Sequence, residues 1–185
     1  MMIKSLRTAA ATLMTAVSAL ALAVLGPVWE ASAGVLDVTC TPPSSQTTTY
    51  TPPLTVAPQT VTVSATAQYG PCVSLSNPAL TSGSSTRTTL DPALSCLDLL
   101  SSGATTSTIV WNTGQTSTIS VNYTATIVGA ALVVTFTGTV TSGLFAGSSV
   151  VQVLTGPATD VLLCTLGLGT VPSSYTLASL EITSL

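Results

Sequence analysis

The sequence predicts an all-β protein: an antiparallel β-sandwich of about eight strands, with Ig-like or related topology, preceded by a helical signal peptide. Its main support is three segments in which apolar and hydroxyl-bearing residues alternate, because a period of two places one face of a strand in the core and the other in water. These segments are residues 61–69, 118–127 and 132–140. Many short strands joined by short turns favour a sandwich over a fold of alternating strands and helices.

The first 33 residues have the parts of a secretory signal peptide. A short basic region precedes an apolar stretch at 9–25, and a Gly-Pro pair and an Ala-Ser-Ala end follow. This order predicts cleavage after Ala33. An uncleaved anchor helix is the alternative, since the stretch is near the ~17 residues that span a bilayer. We expect a single β-sandwich domain over 34–185, a secreted, extracellular location, and no membrane association after cleavage.

The predicted mature chain has almost no cationic side chains. Beyond residue 33 it contains no lysine and no histidine, and Arg87 is its one arginine. Its five carboxylates give a net charge of −4, and they are Asp37, Asp91, Asp98, Asp160 and Glu181. This balance argues against nucleic-acid binding, which needs several Lys or Arg to neutralise phosphates. It also argues against attraction to an anionic membrane surface.

The same absences argue against catalysis, because histidine and lysine supply most general bases and activated nucleophiles. We therefore predict a protein that is not an enzyme and has no cofactor or metal. The alternative is a hydrolase with an all-carboxylate site, for which Asp91, Asp98 and Asp160 are the candidates. The simpler interpretation is that Asp91 caps a turn, while Asp98 is solvated or pairs with Arg87.

Four cysteines, Cys40, Cys72, Cys96 and Cys164, indicate two disulfides, because an exported chain meets an oxidising compartment. Their spacings of 32, 24 and 68 residues contain no close pair of the kind that zinc sites use. Sequence alone permits three pairings. We expect Cys72–Cys96, which are nearest in sequence, and Cys40–Cys164, which would tie an N-terminal arm to the last quarter of the chain.

Shorter alternating segments predict the remaining strands, at 47–51, 84–90, 107–111, 149–154 and 175–183. Glycines predict tight turns at 112–114 and 128–130. One short helical turn is expected at 91–100, with Asp91 as its cap and Pro92 at its first position.

Two aromatic residues, Trp111 beside a hairpin turn and Phe145 in a Gly-flanked loop, are candidates for a surface contact, because an exposed aromatic platform can stack on sugar rings. Packing at the edge of the core is the alternative, and we favour it for Trp111. Tyr69, Tyr123 and Phe136 share parity with aliphatic neighbours and are expected in the core.

Four segments resemble small secreted β-rich proteins of Streptomyces and related actinobacteria. They are WNTGQTST at 111–118, GTVTSGLFAG at 138–147, SCLDLL at 95–100 and YTPPLT at 50–55. The resemblance covers most of the predicted mature chain and implies a fold. It implies no catalytic residues, because the group is functionally uncharacterised.

The expected function is therefore a non-catalytic binding or structural role at the cell envelope or an extracellular surface, with a polysaccharide or a cell-envelope component as partner. Self-association as a surface-coat protein is the alternative, because the charged side chains that block pairing between exposed strand edges are scarce.

Overall fold

The computed structural model describes residues 35–184, which belong to one compact unit. Of these residues, 65% lie in strands and 8% in helices, and the pairing is mostly antiparallel, which confirms the all-β class. The predicted signal peptide and its cleavage site lie outside the described residues.

Ten strands and two short helices make up the fold. The strands are β1 (Leu36–Cys40), β2 (Ser45–Leu54), β3 (Gln59–Tyr69), β4 (Cys72–Val73), β5 (Gly83–Leu94), β6 (Ser102–Trp111), β7 (Thr116–Val128), β8 (Ala131–Gly143), β9 (Ser149–Pro157) and β10 (Val171–Thr183). A 3-10 helix (Cys96–Leu100) lies between β5 and β6, and helix α1 (Thr159–Thr165) lies between β9 and β10. All strands predicted from the sequence are confirmed, most of them as parts of longer strands.

Eight strands close into an antiparallel barrel, in the order β2-β3-β5-β6-β7-β8-β9-β10 and back to β2. The pairing of β10 with β2, from Val171↔Leu54 to Leu177↔Ser45, completes the ring. The predicted sandwich is therefore wrong. The alternation of apolar and polar residues shows that each strand has one buried and one wet face. A closed barrel and a sandwich of two sheets both produce this pattern, so it does not distinguish them.

The first strand lies beside the ring's last one. β1 pairs with the second half of β10, and the two-residue β4 pairs with β1. Because β2 pairs with the first half of the same strand, β1 and β2 act as one bent strand along β10.

The helical turn begins later than the sequence predicted. Asp91 and Pro92 continue β5, and the 3-10 helix starts after Ser95. The Asp98 carboxylate accepts hydrogen bonds from the Ser95 N–H at 2.8 Å and the Ser95 Oγ–H at 2.6 Å. These bonds hold the start of the helix and explain why it does not begin at Asp91.

The two ends of the barrel are closed differently. At one, which we call the filled end, large apolar side chains meet in the largest buried cluster, including Tyr69, Ile109, Trp111, Ile119 and Val140. At the other, which we call the capped end, the 3-10 helix and α1 cover the barrel over buried Leu54, Val61, Val161 and Val171. No helix among residues 35–184 is long and apolar enough to cross a membrane.

Candidate functional site

All four cysteines form disulfides, as predicted, but the predicted pairing is wrong. The bonds are Cys40–Cys72 and Cys96–Cys164. Cys40 and Cys72 are register partners on β1 and β4, so the sheet brings together cysteines that are not nearest in sequence. The second bond ties the 3-10 helix to α1 across the capped end. Two disulfides indicate an oxidising compartment.

A cavity of about 300 Å³ lies inside the barrel. We call it the lumen. Its wall mixes apolar and hydroxyl-bearing side chains from the barrel strands, among them Thr48, Ala65, Thr105, Tyr123, Ala125 and Phe136. A smaller cavity of about 50 Å³ adjoins it on the side of the filled end and shares five of its wall residues.

Small residues at inward positions leave room for the lumen. Along β3 the inward side chains change from Tyr69 to Ala67 and Ala65 as the strand leaves the filled end. On β6, a Cβ at Gly103 would lie 2.6 Å from the hydroxyl oxygen of Tyr123, its register partner on β7. The glycine therefore lets the tyrosine ring lie against β6 instead of filling the cavity.

The barrel wall is open between β5 and β6. Their described pairing is limited to Gly83↔Trp111 and Ser84↔Val110, although β5 pairs with β3, and β6 with β7, along nearly their whole lengths. Beyond these pairs, only side chains are seen to bridge the two strands. We call this gap the β5–β6 opening.

Two bridges cross the β5–β6 opening next to the lumen. The hydroxyl oxygens of Ser85 and Ser107 lie 3.1 Å apart. Further along, the Arg87 guanidinium donates to Thr105 Oγ1. Arg87 lies opposite Ala65 of β3, lines the lumen, and keeps contact with solvent through the opening. That contact lowers the desolvation cost of its charge.

The structure brings two of the three candidate carboxylates to one wall. Asp91 and Asp98 both line the lumen, whereas Asp160 is exposed in the first turn of α1. Asp91 Oδ1 accepts a hydrogen bond from the Ala93 N–H at 3.1 Å within β5, so it does not cap the predicted helical turn. Asp98 is exposed and is held by Ser95, as described above.

The two candidate surface aromatics pack against each other. Trp111 is only 2% exposed, and its indole N–H donates to Ser117 Oγ at 2.8 Å. Phe145 is half-buried, and its ring meets Trp111 edge-on with centroids 6.2 Å apart. A buried indole offers no face for stacking on a sugar, and the pair closes the filled end.

Two buried tyrosines contribute neutral phenols to the interior. Burial raises the pKa of Tyr69 to about 12, although the side chain of Gln152 partly opposes this shift. Burial also raises the pKa of Tyr50, partly opposed by a hydrogen bond with Ser174. Both phenols therefore stay protonated at neutral pH and act as uncharged hydrogen-bonding groups.

The lumen can hold a molecule and hydrogen-bond to it, with one cation at its opening. Within residues 35–184 no three His, Cys, Asp or Glu side chains come close enough to hold a metal ion. Sequence reasoning missed both the lumen and the inward position of Arg87. No sequence signal indicated them, because polar residues at alternate positions normally mark the wet face of a strand.

No family model matches the chain, and no curated protein and no solved structure matches it either.

Proposed function

We propose that the protein is a secreted, non-catalytic binding protein that holds one small molecule in its lumen. The observation that carries the proposal is the cavity of about 300 Å³ with a mixed wall and an opening at its side. Small-molecule sites are concave and mainly apolar, with a few placed polar groups. Barrels of eight strands have room for packed side chains or for one small ligand.

The volume sets the size of the ligand. An apolar cavity of roughly 150 Å³ takes up benzene, and the lumen has about 300 Å³. A molecule with two or three rings, or a branched molecule of similar volume, therefore fits. A polysaccharide chain is too large for the lumen. The ligand that we propose is therefore a small extracellular or cell-envelope molecule.

The β5–β6 opening supplies the path. Elsewhere in the ring, separating two neighbouring strands breaks a ladder of backbone hydrogen bonds, which are costly to leave unmade. Between β5 and β6 beyond Ser84, the described bridges are side-chain hydrogen bonds. Such bonds exchange readily with water, so this part of the wall can open without unfolding the barrel.

Binding of N-phenyl-1-naphthylamine, a neutral dye that fluoresces in apolar surroundings, tests the proposal. The oxidised protein should bind it one to one. Ala125→Leu fills part of the lumen and should weaken binding by about tenfold, because about 1.4 kcal/mol of lost contact suffices. Thr126→Leu adds the same side chain at the next, exposed position and should leave binding unchanged. No binding by the wild type, or equal loss in both variants, would refute the proposal.

One observation favours a second candidate, a hydrolase, because Asp91 and Asp98 line the same cavity. Glycoside hydrolysis needs two carboxyl groups on either side of the scissile bond. Here both carboxylates accept hydrogen bonds from backbone N–H groups of their own chain segments, which argues for a structural role. Aryl glycosides assayed with the wild type, Asp91→Asn and Asp98→Asn decide: turnover that either substitution abolishes would replace the binding proposal with catalysis.

A further inference from the structure

We infer that the ligand is an organic anion: a compact apolar body with one carboxylate or sulfonate group, which pairs with Arg87 at the β5–β6 opening. This inference rests on the proposed function, because it names the class of molecule that the lumen would take.

The position of the single cation carries the argument. Arg87 is the only lysine or arginine beyond residue 33. It lines both the lumen and the smaller adjoining cavity, so it stands at their junction. Its side chain combines an inward position on β5 with contact to solvent through the opening, so a ligand in the lumen can reach its charge.

The guanidinium has donors to spare. It carries five N–H groups and no acceptor, and the described hydrogen bond to Thr105 Oγ1 uses one of them. That bond holds the side chain across the opening. The planar group can therefore present two parallel N–H donors to a carboxylate or sulfonate, an arrangement that is stronger than a neutral hydrogen bond.

The two carboxylates that line the lumen are held by their own chain segments. The Cα atom of Asp91 lies four residues further along β5 than that of Arg87, about 13 Å away at ~3.3 Å per residue. Asp91 Oδ1 accepts from the Ala93 N–H, and Asp98 is held by Ser95 on the 3-10 helix. Both carboxylates are therefore engaged by donors of their own chain segments, which leaves the spare donors of Arg87 for an anionic group.

The rest of the wall suits an apolar body. Tyr123 and Phe136 face each other in the lumen with ring centroids 5.7 Å apart, next to Ala125 and Val134. A ligand oriented by Arg87 would keep its anionic group in the partly hydrated opening and place its apolar body against these side chains. The polar and apolar parts of the wall thus match the two parts of one amphipathic molecule.

A matched pair of dyes tests this inference apart from the proposed function. 1-Anilinonaphthalene-8-sulfonate has the ring system of N-phenyl-1-naphthylamine and adds one sulfonate. The wild type should bind the sulfonated dye about tenfold more tightly or better, and added salt should weaken only that binding. Arg87→Gln should abolish the preference and leave the neutral dye unaffected, while Arg87→Lys should restore part of it, since it keeps the charge and loses the paired donors.

The outcomes separate the two proposals. If neither dye binds, the lumen is not a ligand site and both proposals fall. If the neutral dye binds as well as the sulfonated one, and Arg87→Gln changes neither affinity, the proposed function stands and the anionic ligand is refuted. Weaker binding of both dyes to Arg87→Gln would also refute it, because the residue would then support the fold of the lumen rather than the sulfonate.

Discussion

The two halves of the barrel are built from the same strands but are filled in opposite ways. On β6, Ile109 and Trp111 are buried at the filled end, whereas Gly103 and Thr105 face the lumen. On β5, the inward residues are Gly83 and Ser85 toward the filled end, and Arg87 and Thr89 beside the lumen. The backbone pairing of β5 with β6 stops where this change occurs. The backbone ladder between β5 and β6 is thus confined to the filled end.

This difference indicates a division of labour. Buried apolar side chains supply most of the free energy of folding, and here they concentrate at the filled end. The half of the barrel around the lumen buries fewer large apolar side chains and gains less free energy of folding from them. Such a loss of stability is common at binding sites. We therefore expect substitutions at the filled end to change stability and substitutions around the lumen to change binding.

The largest expected effect comes from the filled end. Trp111→Ala should lower the free energy of unfolding by about 4 kcal/mol, because it leaves a cavity where the indole packed and removes the hydrogen bond to Ser117. Tyr123→Ala, in the half-buried lumen wall, should cost about 1–2 kcal/mol. Urea denaturation of both variants measures the contrast, and equal losses would contradict the division of labour.

The disulfides offer the next test, because each lies at one end. Replacing both cysteines of Cys40–Cys72 or of Cys96–Cys164 with serine should cost about 2–4 kcal/mol, with the larger loss for Cys96–Cys164, which closes the longer loop. The 3-10 helix connects β5 to β6, and only the second change frees it from α1. Only that change should therefore widen the β5–β6 opening and speed dye release from the lumen. Stopped-flow dissociation of N-phenyl-1-naphthylamine gives the rates. Equally fast release from both variants would show that the capped end does not control access.

Alkaline pH should destabilise the barrel through Tyr69. The phenol has a pKa of 10.0 in the unfolded chain and about 12 in the fold, so the folded state holds the proton more tightly. This contribution is fully present below pH 10 and is lost as pH rises to 12, by about 2–3 kcal/mol at 1.36 kcal/mol per pKa unit. Tyr69→Phe should flatten the decline. Tyr50, with its raised pKa, should add a loss of the same sign.

The smallest expected effect is a gain. Ala125→Leu should raise the free energy of unfolding by about 0.5–1 kcal/mol while weakening dye binding, because filling a cavity stabilises a fold when the added side chain fits. Thermal or urea unfolding measures the gain. A loss of stability in this variant would mean that the lumen wall cannot accept a larger side chain. It would contradict the expectation that filling the lumen stabilises the fold while it weakens binding.

Much of the fold was predictable because alternation is a local property. Residues 61–69, 118–127 and 132–140 all lie in strands, and the turns around Gly114 and Gly129 are where glycine indicated them. Closure was not predictable in this way, since it depends on β10 meeting β2 more than a hundred residues away. Helix α1 was missed, and its seven residues are too few to establish a helical period.

The candidate site was harder to predict than the strands. Polar residues at alternate positions normally mark the wet face of a strand, so Arg87 and Thr89 were not expected to face a cavity. The disulfides were predicted as a set but not as pairs, because pairing follows spatial register rather than sequence distance. Trp111 could be placed at the edge of the core from its neighbours, and its burial agrees with that interpretation.

The pairing of β10 has a consequence for the order in which the molecule folds. Its 13 residues pair with β9, β1 and β2, and it is the last strand described. A chain that is synthesised N-terminus first therefore keeps the edges of β2 and β9 unpaired until β10 emerges. Such long-range closure is slow, and open edges invite pairing with other chains. Until β10 is in place, the unpaired edges of β2 and β9 are therefore the part of the protein most open to aggregation.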